Sequence, residues 1–429
     1  MSEHLTIQVW SAVISAAMMT PAGQSQKTES DREARDPPGS CRKAGLQRRP
    51  PTGESAGGAR LDGGFCLHGR DAGGHSPGDR KRPVFTYGVR GTPTAFALEG
   101  LITELEAGHG TKLYSSGLEA IAAVFLGFLR PGDHVLVVDT VYSPVRQMLN
   151  RFLGQRGIAY DFYSPREPDL PAMIRPETRM IYTETPGSVT MELQDIAAVV
   201  RTARAHGDIW VACDNTWASG YCYRPLEDGA DLSIVAGTKY LGGHSDVLMG
   251  SVTATAAAYE TLHETSVLLG LAVSADDCAL VLRGARTLHI RYPAHAQRAR
   301  AVAAWLEQRP EVAAVHYPAL PSSPDHALWQ QRFDGAAGLF TLELTAAAST
   351  RVTAFVDGLK LFGRGASWGG FESLALPCDV RANRSVDGWD DRGALVRLSI
   401  GLEEADDLIA DLDQALDRAC NDKTRRSDG

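Results

Sequence analysis

The chain has 429 residues, 44% of them hydrophobic and 22% charged, with a formal net charge of −9. That length leaves room for two or three domains with sizeable cores, and the acidic balance argues against nucleic acid or an anionic membrane as partner. Seven cysteines, Cys41, Cys66, Cys213, Cys222, Cys278, Cys378 and Cys420, are scattered without metal-type pairing, which suits a reducing, cytoplasmic compartment.

Residues 1–82 are rich in Pro, Gly, Ser and mixed charge without sustained periodicity, and a disordered tail or arm is expected there. Within it, LTIQVWSAVISAAMM (residues 5–19) has the length of a signal-peptide apolar region. MSEH before it carries no Lys or Arg, however, and the run is too short to span a bilayer. At 86–106, TYGVRGTPTAFALEGLITELE puts Leu98, Leu101, Ile102 and Leu105 at helical spacing on one face. YSSGLEAIAAVFLGFLRPGDHVLVVD (114–139) then reads as small-residue turn, helix, turn and strand. Ser115, Ser116 and Gly117 stand before that helix, whose start offers unpaired N–H groups and a positive dipole end to an anion such as phosphate. Ordinary N-capping by serine accounts for the same residues.

From here β and α patterns alternate through IAYDFY, RMIYTET, LQDIAAVVRTARAHG, IWVACD, LSIVAG and SVTATA. Such alternation specifies an α/β fold with a mostly parallel sheet, whose sites lie at the carboxyl ends of the strands. Glu184, Asp214 and Lys239 all fall at such ends. Lys239 lies between the apolar run 232–236 and a glycine-rich turn, where burial lowers a lysine's pKa and readies it to attack an aldehyde; a solvated loop-edge lysine is the plainer reading. Asp214 ends IWVACD, and a carboxylate there suits a protonated pyridine nitrogen. An amine for an aldehyde and an acid for a ring nitrogen are what pyridoxal 5'-phosphate (PLP) requires. Cys213 points to the opposite strand face and reads as core. His244 and Asp246 lack the further ligands that a metal needs. Residues 275–308 read as helices, GLFTLEL (338–344) as a strand and VTAFVDGLKLF (352–362) as a helix, the last two opening a smaller α+β unit that runs to about residue 418. Arg397 alternates with apolar strand residues, so it needs an anion: a substrate carboxylate or a local Asp or Glu.

DNTW (214–217), TKYLGGHSD (238–246) and SWGGFESL (367–374) resemble the cystathionine β-lyase branch of the Cys/Met-metabolism PLP-dependent enzymes, and the resemblance runs over roughly residues 84–415. It implies PLP fold type I, the aspartate aminotransferase-like architecture. Expected boundaries are a large PLP-binding domain at 83–286, a small C-terminal α+β domain at 287–420 and a tail at 421–429. The resemblance makes Lys239 the cofactor-bearing catalytic lysine and Asp214 the partner of the ring nitrogen. It puts Tyr142 on the ring as a second catalytic group, and Ser116, Gly117, Leu118 and Thr238 around the phosphate. Tyr87 and Arg90 would reach a neighbouring subunit's phosphate, which requires at least a homodimer, with a tetramer as the family's habit. Arg397, Ser367, Trp368 and Tyr87 would meet the substrate. Val89, Ala236 and Ala366 depart from the pattern, as does the shortened stretch between FCLHGRD (65–71), which resembles the start of the family's arm, and Tyr87. The activity implied is cleavage of L-cystathionine, or a related S-substituted cysteine, to a thiol, pyruvate and ammonia. A γ-elimination or γ-replacement enzyme, a lyase for bulkier S-conjugated cysteines and a non-catalytic relative stay open as alternatives.

Overall fold

The structure, a computed structural model, describes residues 87–421 apart from 387, 390 and 391. The expectations for residues 1–82, including the runs at 5–19 and 65–71, and for the tail beyond 421 lie outside the described residues.

The larger sheet has seven strands: β1 (Gly110–Tyr114), β2 (His134–Val138), β3 (Ala159–Tyr163), β4 (Thr178–Glu184), β5 (Trp210–Asp214), β6 (Leu232–Val235) and β7 (Gly250–Ala254), in the order β1-β7-β6-β5-β4-β2-β3. Strands β3, β2, β4, β5 and β6 run parallel, and β7 runs antiparallel to both of its neighbours. Short apolar runs such as HVLVV in β2 and LSIV in β6 are buried throughout, as a central parallel strand must be. The alternating pattern read from the sequence is thus present, strand for strand.

Helix α1 (Pro93–Leu105) starts on a proline at its first turn, with Thr92 Oγ1 accepting from Ala95 N at 3.2 Å, and it buries Leu98, Leu101, Ile102 and Leu105. Those are the four residues expected on one face. Helix α2 (Gly117–Phe128) packs on β6 and β7, helix α3 (Ser143–Met148) follows β2, and α4 (Ile196–Ala205) packs on β4 and β5. Among the described residues no helix is long and apolar enough to cross a membrane.

Helices α5 (Ala256–Leu268), α6 (Ala275–Ala285) and α7 (Leu288–Leu306) lead to a second sheet. It comprises β8 (Val312–His316), β9 (Leu339–Leu344), β10 (Gly363–Arg364), β11 (Leu374–Cys378) and β12 (Leu395–Ser399), ordered β10-β11-β12-β9-β8. All its pairs are antiparallel except β10 with β11. Arg397 is the middle residue of β12, opposite Leu376 and Thr341. One expected helix is shorter than read: α8 spans only Val352–Asp357. Past Gly358, the Asp411 carboxylate of α9 (Ala405–Asn421) accepts from Lys360 N and Leu361 N, which draws the chain out of helical geometry.

Candidate active site

Because β2, β4, β5 and β6 are parallel, their carboxyl ends share one edge of the sheet, and the charged residues collect there. Glu184 and Asp214 are register partners at the ends of β4 and β5. Lys239 follows β6 by four residues, after a turn closed by its own N–H on Ala236 O at 3.0 Å.

Lys239 Nζ donates to Ser367 Oγ at 2.8 Å and stands 5.3 Å from the centre of the Trp368 ring. The structure therefore brings these three together, although Ser367 and Trp368 come from the loop before β11. Burial, reinforced by the Arg397 charge and opposed by Asp214, lowers the Lys239 pKa to about 8. Asp214 accepts from Thr216 N at 3.0 Å; desolvation raises its pKa, against the pull of Thr216 and Lys239. Thr216 Oγ1 in turn accepts from Ala236 N at 2.9 Å, tying the end of β5 to the end of β6.

Arg397 donates through Nη2 to Ala366 O at 2.6 Å. Among the described residues no carboxylate pairs with it, so the local ion pair weighed from the sequence is not formed. Burial lowers its pKa, with Cys378, Tyr142 and Glu184 acting in the other direction. Tyr142, 45% exposed, caps α3 and donates its backbone N–H to Glu184 Oε2 at 2.7 Å. Glu184 is driven well above the usual carboxylate range, first by desolvation and then by the Asp214 charge. The sequence placed Glu184 at this edge without assigning it a role; its register opposite Asp214 is what makes it part of the site.

The expected phosphate side is only partly arranged as read. Ser116 is the N-cap of α2, its Oγ accepting from Glu119 N at 3.1 Å, while Glu119 Oε2 accepts from Ser115 N and Oγ at 2.5 Å. Ser116 Oγ only accepts in this cap and keeps its own O–H hydrogen, so α2 offers an anion that hydroxyl together with the backbone N–H groups of its first turn at Gly117 and Leu118. A Cβ on Gly117 would lie 2.8 Å from Ala236 Cβ, so only glycine lets the helix start come this near the end of β6. Thr238 Oγ1 donates to Met249 O at 3.1 Å and accepts from Met249 N at 2.9 Å, which leaves it no hydrogen for a phosphate in this arrangement. Tyr87, 63% exposed, and Arg90 lie in the segment before α1 and make no described contact with Lys239, Asp214 or Arg397 of their own chain. His244 donates to or accepts from nothing but Gly242 O among the described residues, and no group of three or more metal-ligand side chains is found among them.

A buried acid with a raised pKa, a lysine near pKa 8 in the turn after the adjoining strand and a glycine-tight helix start form a donor set that PLP fits: Asp214 would face its ring nitrogen, Lys239 its aldehyde and the first turn of α2 its phosphate. The family model described as Cys/Met metabolism PLP-dependent enzyme matches residues 66–417.

The chain belongs to that family.

Its relatives in the Cys/Met-metabolism family include cystathionine beta-lyase of Bordetella avium, 46% identical over 338 residues that cover 78% of this chain and 84% of that one. L-alanine/L-glutamate racemase of Wolbachia pipientis is 40% identical over 346 residues, covering 80% and 85% respectively. The crystal structure of metB from Corynebacterium glutamicum matches with a TM-score of 0.80 at 28% identity, over 89% of this chain and 97% of that one. PLP dependence and fold type I, both expected from the sequence, follow from this membership.

Proposed function

We propose that the chain is a PLP-dependent carbon–sulfur β-lyase that cleaves L-cystathionine, or a related S-substituted cysteine, to a thiol, pyruvate and ammonia. The observation that carries this reading is Lys239 Nζ, lowered to a pKa of about 8 and held 2.8 Å from Ser367 Oγ, in one site with a half-buried arginine that has no carboxylate partner among the described residues. When bound, PLP supplies an electron-withdrawing pyridinium ring.

Asp214 would hold the ring nitrogen and favour its protonated form, and Tyr142 would face the ring. Arg397 holds the substrate α-carboxylate through its free guanidinium edge, which answers the need left open by the absence of a local acid. Trp368 and Ser367 wall the space above Lys239. Lys239, neutral over half its population near pH 8, removes the Cα proton and then delivers a proton to the departing sulfur. The Cβ–S bond breaks, the sulfur leaves as a thiol, and the three-carbon remainder takes up water to give pyruvate and ammonia. Tyr87 and Arg90 serve the phosphate of a second subunit, so the working form is a homo-oligomer, a dimer at least, in the cytoplasm. The large PLP-binding domain ends near residue 286.

A second reading rests on the racemase relative: the same lysine, returning the proton to Cα instead of passing it to sulfur, would racemise an amino acid. Incubating the holoenzyme with L-cystathionine separates these. Pyruvate release, lost in Lys239→Ala by roughly a thousandfold or more, is the expected outcome. 2-Oxobutyrate would move the chain to γ-elimination, and D-alanine formed from L-alanine without thiol release would support racemisation.

A further inference from the structure

The mechanism needs Lys239 and Arg397 at a fixed separation, yet one follows a strand of the large sheet and the other lies within a strand of the small one. One helix touches both. Along α7, Arg291, His295 and Arg298 recur at i, i+4 and i+7 and so share a face. Arg291 Nη2 donates to Tyr240 O at 2.9 Å, to Gly284 O at 2.8 Å and to Leu241 O at 3.5 Å, while its Nε donates to Thr287 Oγ1 at 2.9 Å. Tyr240 is the residue after Lys239. One turn further, His295 Nδ1 meets Ile400 O at 2.8 Å and Gly401 O at 3.2 Å, just past Arg397. Both partners are carbonyl oxygens, so Nδ1 carries the hydrogen. Arg298 Nε then donates to Glu403 O at 2.7 Å.

Cost and crowding single out Arg291. It is 7% exposed, no carboxylate pairs with it among the described residues, and its Nη1 has no hydrogen-bond partner. A buried cation in that state is expensive, and a neutral side chain would fill the space with less penalty. The surroundings are nonetheless cut to fit it. A Cβ on Gly243, which has φ +69°, would lie 1.9 Å from Arg291 Nη1, and one on Gly284 would lie 2.1 Å from Gly242 O. The Tyr240 ring is enclosed by Tyr292, His295 and Trp368, and its hydroxyl accepts from Gly338 N at 2.9 Å.

We propose that Arg291 and His295 are positioning residues: from one face of α7 they grip the backbone just after Lys239 and just after Arg397, and so fix the distance between the proton-moving amine and the carboxylate-holding guanidinium. This rests on the roles given to Lys239 and Arg397 above. A helix suits the task because its hydrogen-bonded turns hold residues four apart at a constant spacing, although Pro293, between the two, donates no backbone N–H and the spacing rests on the bonds of the residues around it.

The test uses the holoenzyme and the variants Arg291→Met, Arg291→Lys, His295→Leu and His295→Asn. Amide hydrogen exchange at residues 240–243 and 400–403, measured with and without PLP, reports the grip independently of turnover. Arg291→Met is expected to speed exchange at 240–243 by about tenfold or more, and His295→Leu to do the same at 400–403. Arg291→Met should lower kcat on the order of a hundredfold while KM stays within about threefold, whereas His295→Leu, which loosens the carboxylate-holding arginine, should lower kcat and raise KM together. Lysine at 291 and asparagine at 295 each keep a donor and should recover part of both readouts. Faster exchange with wild-type kcat would overturn the proposal, as would a fall in kcat with unchanged exchange. If Arg291→Met does not fold, the two conservative variants and His295→Leu decide. Failure of the underlying reading looks different: the wild-type chain would then show no cofactor absorbance and no product, whatever the exchange data say.

Discussion

Two charge clusters lie at the same edge of the large sheet, and they are built on opposite terms. At Asp139 the carboxylate is answered in full. It pairs with Arg146 and with Arg384 at 3.3 Å, and it accepts from Ser385 Oγ at 2.8 Å, Ser385 N at 3.0 Å and Val386 N at 3.2 Å. Burial pushes its pKa up, but the bonds from Ser385 and Val386 and the Arg146 charge bring it below the usual value. Around Tyr142 and Lys239 the accounts stay open: Asp214 and Glu184 are raised, Lys239 and Arg397 lowered, each mainly by desolvation. A charge that the fold satisfies holds the fold. One that it leaves unsatisfied waits for a ligand.

The contrast can be attacked from either side. Asp139→Ala strips Arg146 of its carboxylate inside the protein and should cost about 3 to 5 kcal/mol of stability, read from the urea midpoint; a loss under about 1 kcal/mol would mean that the two clusters do not differ in kind. Asp214→Asn should do the reverse, lowering pyruvate release on the order of a hundredfold while leaving the urea midpoint unchanged or higher, because it removes one of two neighbouring buried acids.

A subtler effect should appear in the cofactor-free chain as pH is raised. The folded state prefers neutral Lys239, with a pKa of about 8, whereas the unfolded chain holds that proton up to about 10.4. Between those values the unfolded state binds more protons, so Lys239 contributes stability that grows as pH rises from about 8 to about 10. Urea midpoints of the wild type minus those of Lys239→Met should show that rise; a flat difference would place the ammonium in solvent.

How much of this was legible in the sequence depends on range. Asp214 and Lys239 could be read because each ends a short apolar run, and the parallel sheet then gathers such ends on one edge. Helix α1 was legible for the same local reason. The Asp139 cluster was not, since only Arg146 lies near it in the chain and its partner Ser385 is 246 residues away. Ser116 and Thr238 were readable as polar groups near a phosphate, but that Ser116 accepts from Glu119 N and keeps its own hydrogen, whereas Thr238 gives its hydrogen to Met249 O, is set by the surrounding backbone. Arg397 was read as needing an anion; that no Asp or Glu among the described residues answers it appears only once β11 and β9 lie beside it.

The close approach of Gly117 to Ala236 also sets a rule for anyone redesigning the pocket. With 2.8 Å between a methyl carbon at 117 and the one at 236, the two positions share a single allotment of volume that accommodates one side-chain carbon and not two. A combinatorial library randomised at both should return only pairs in which glycine occupies at least one of them. A hydroxyl introduced to reach the phosphate can therefore enter at 236 only with 117 left bare, or at 117 only with 236 reduced to glycine.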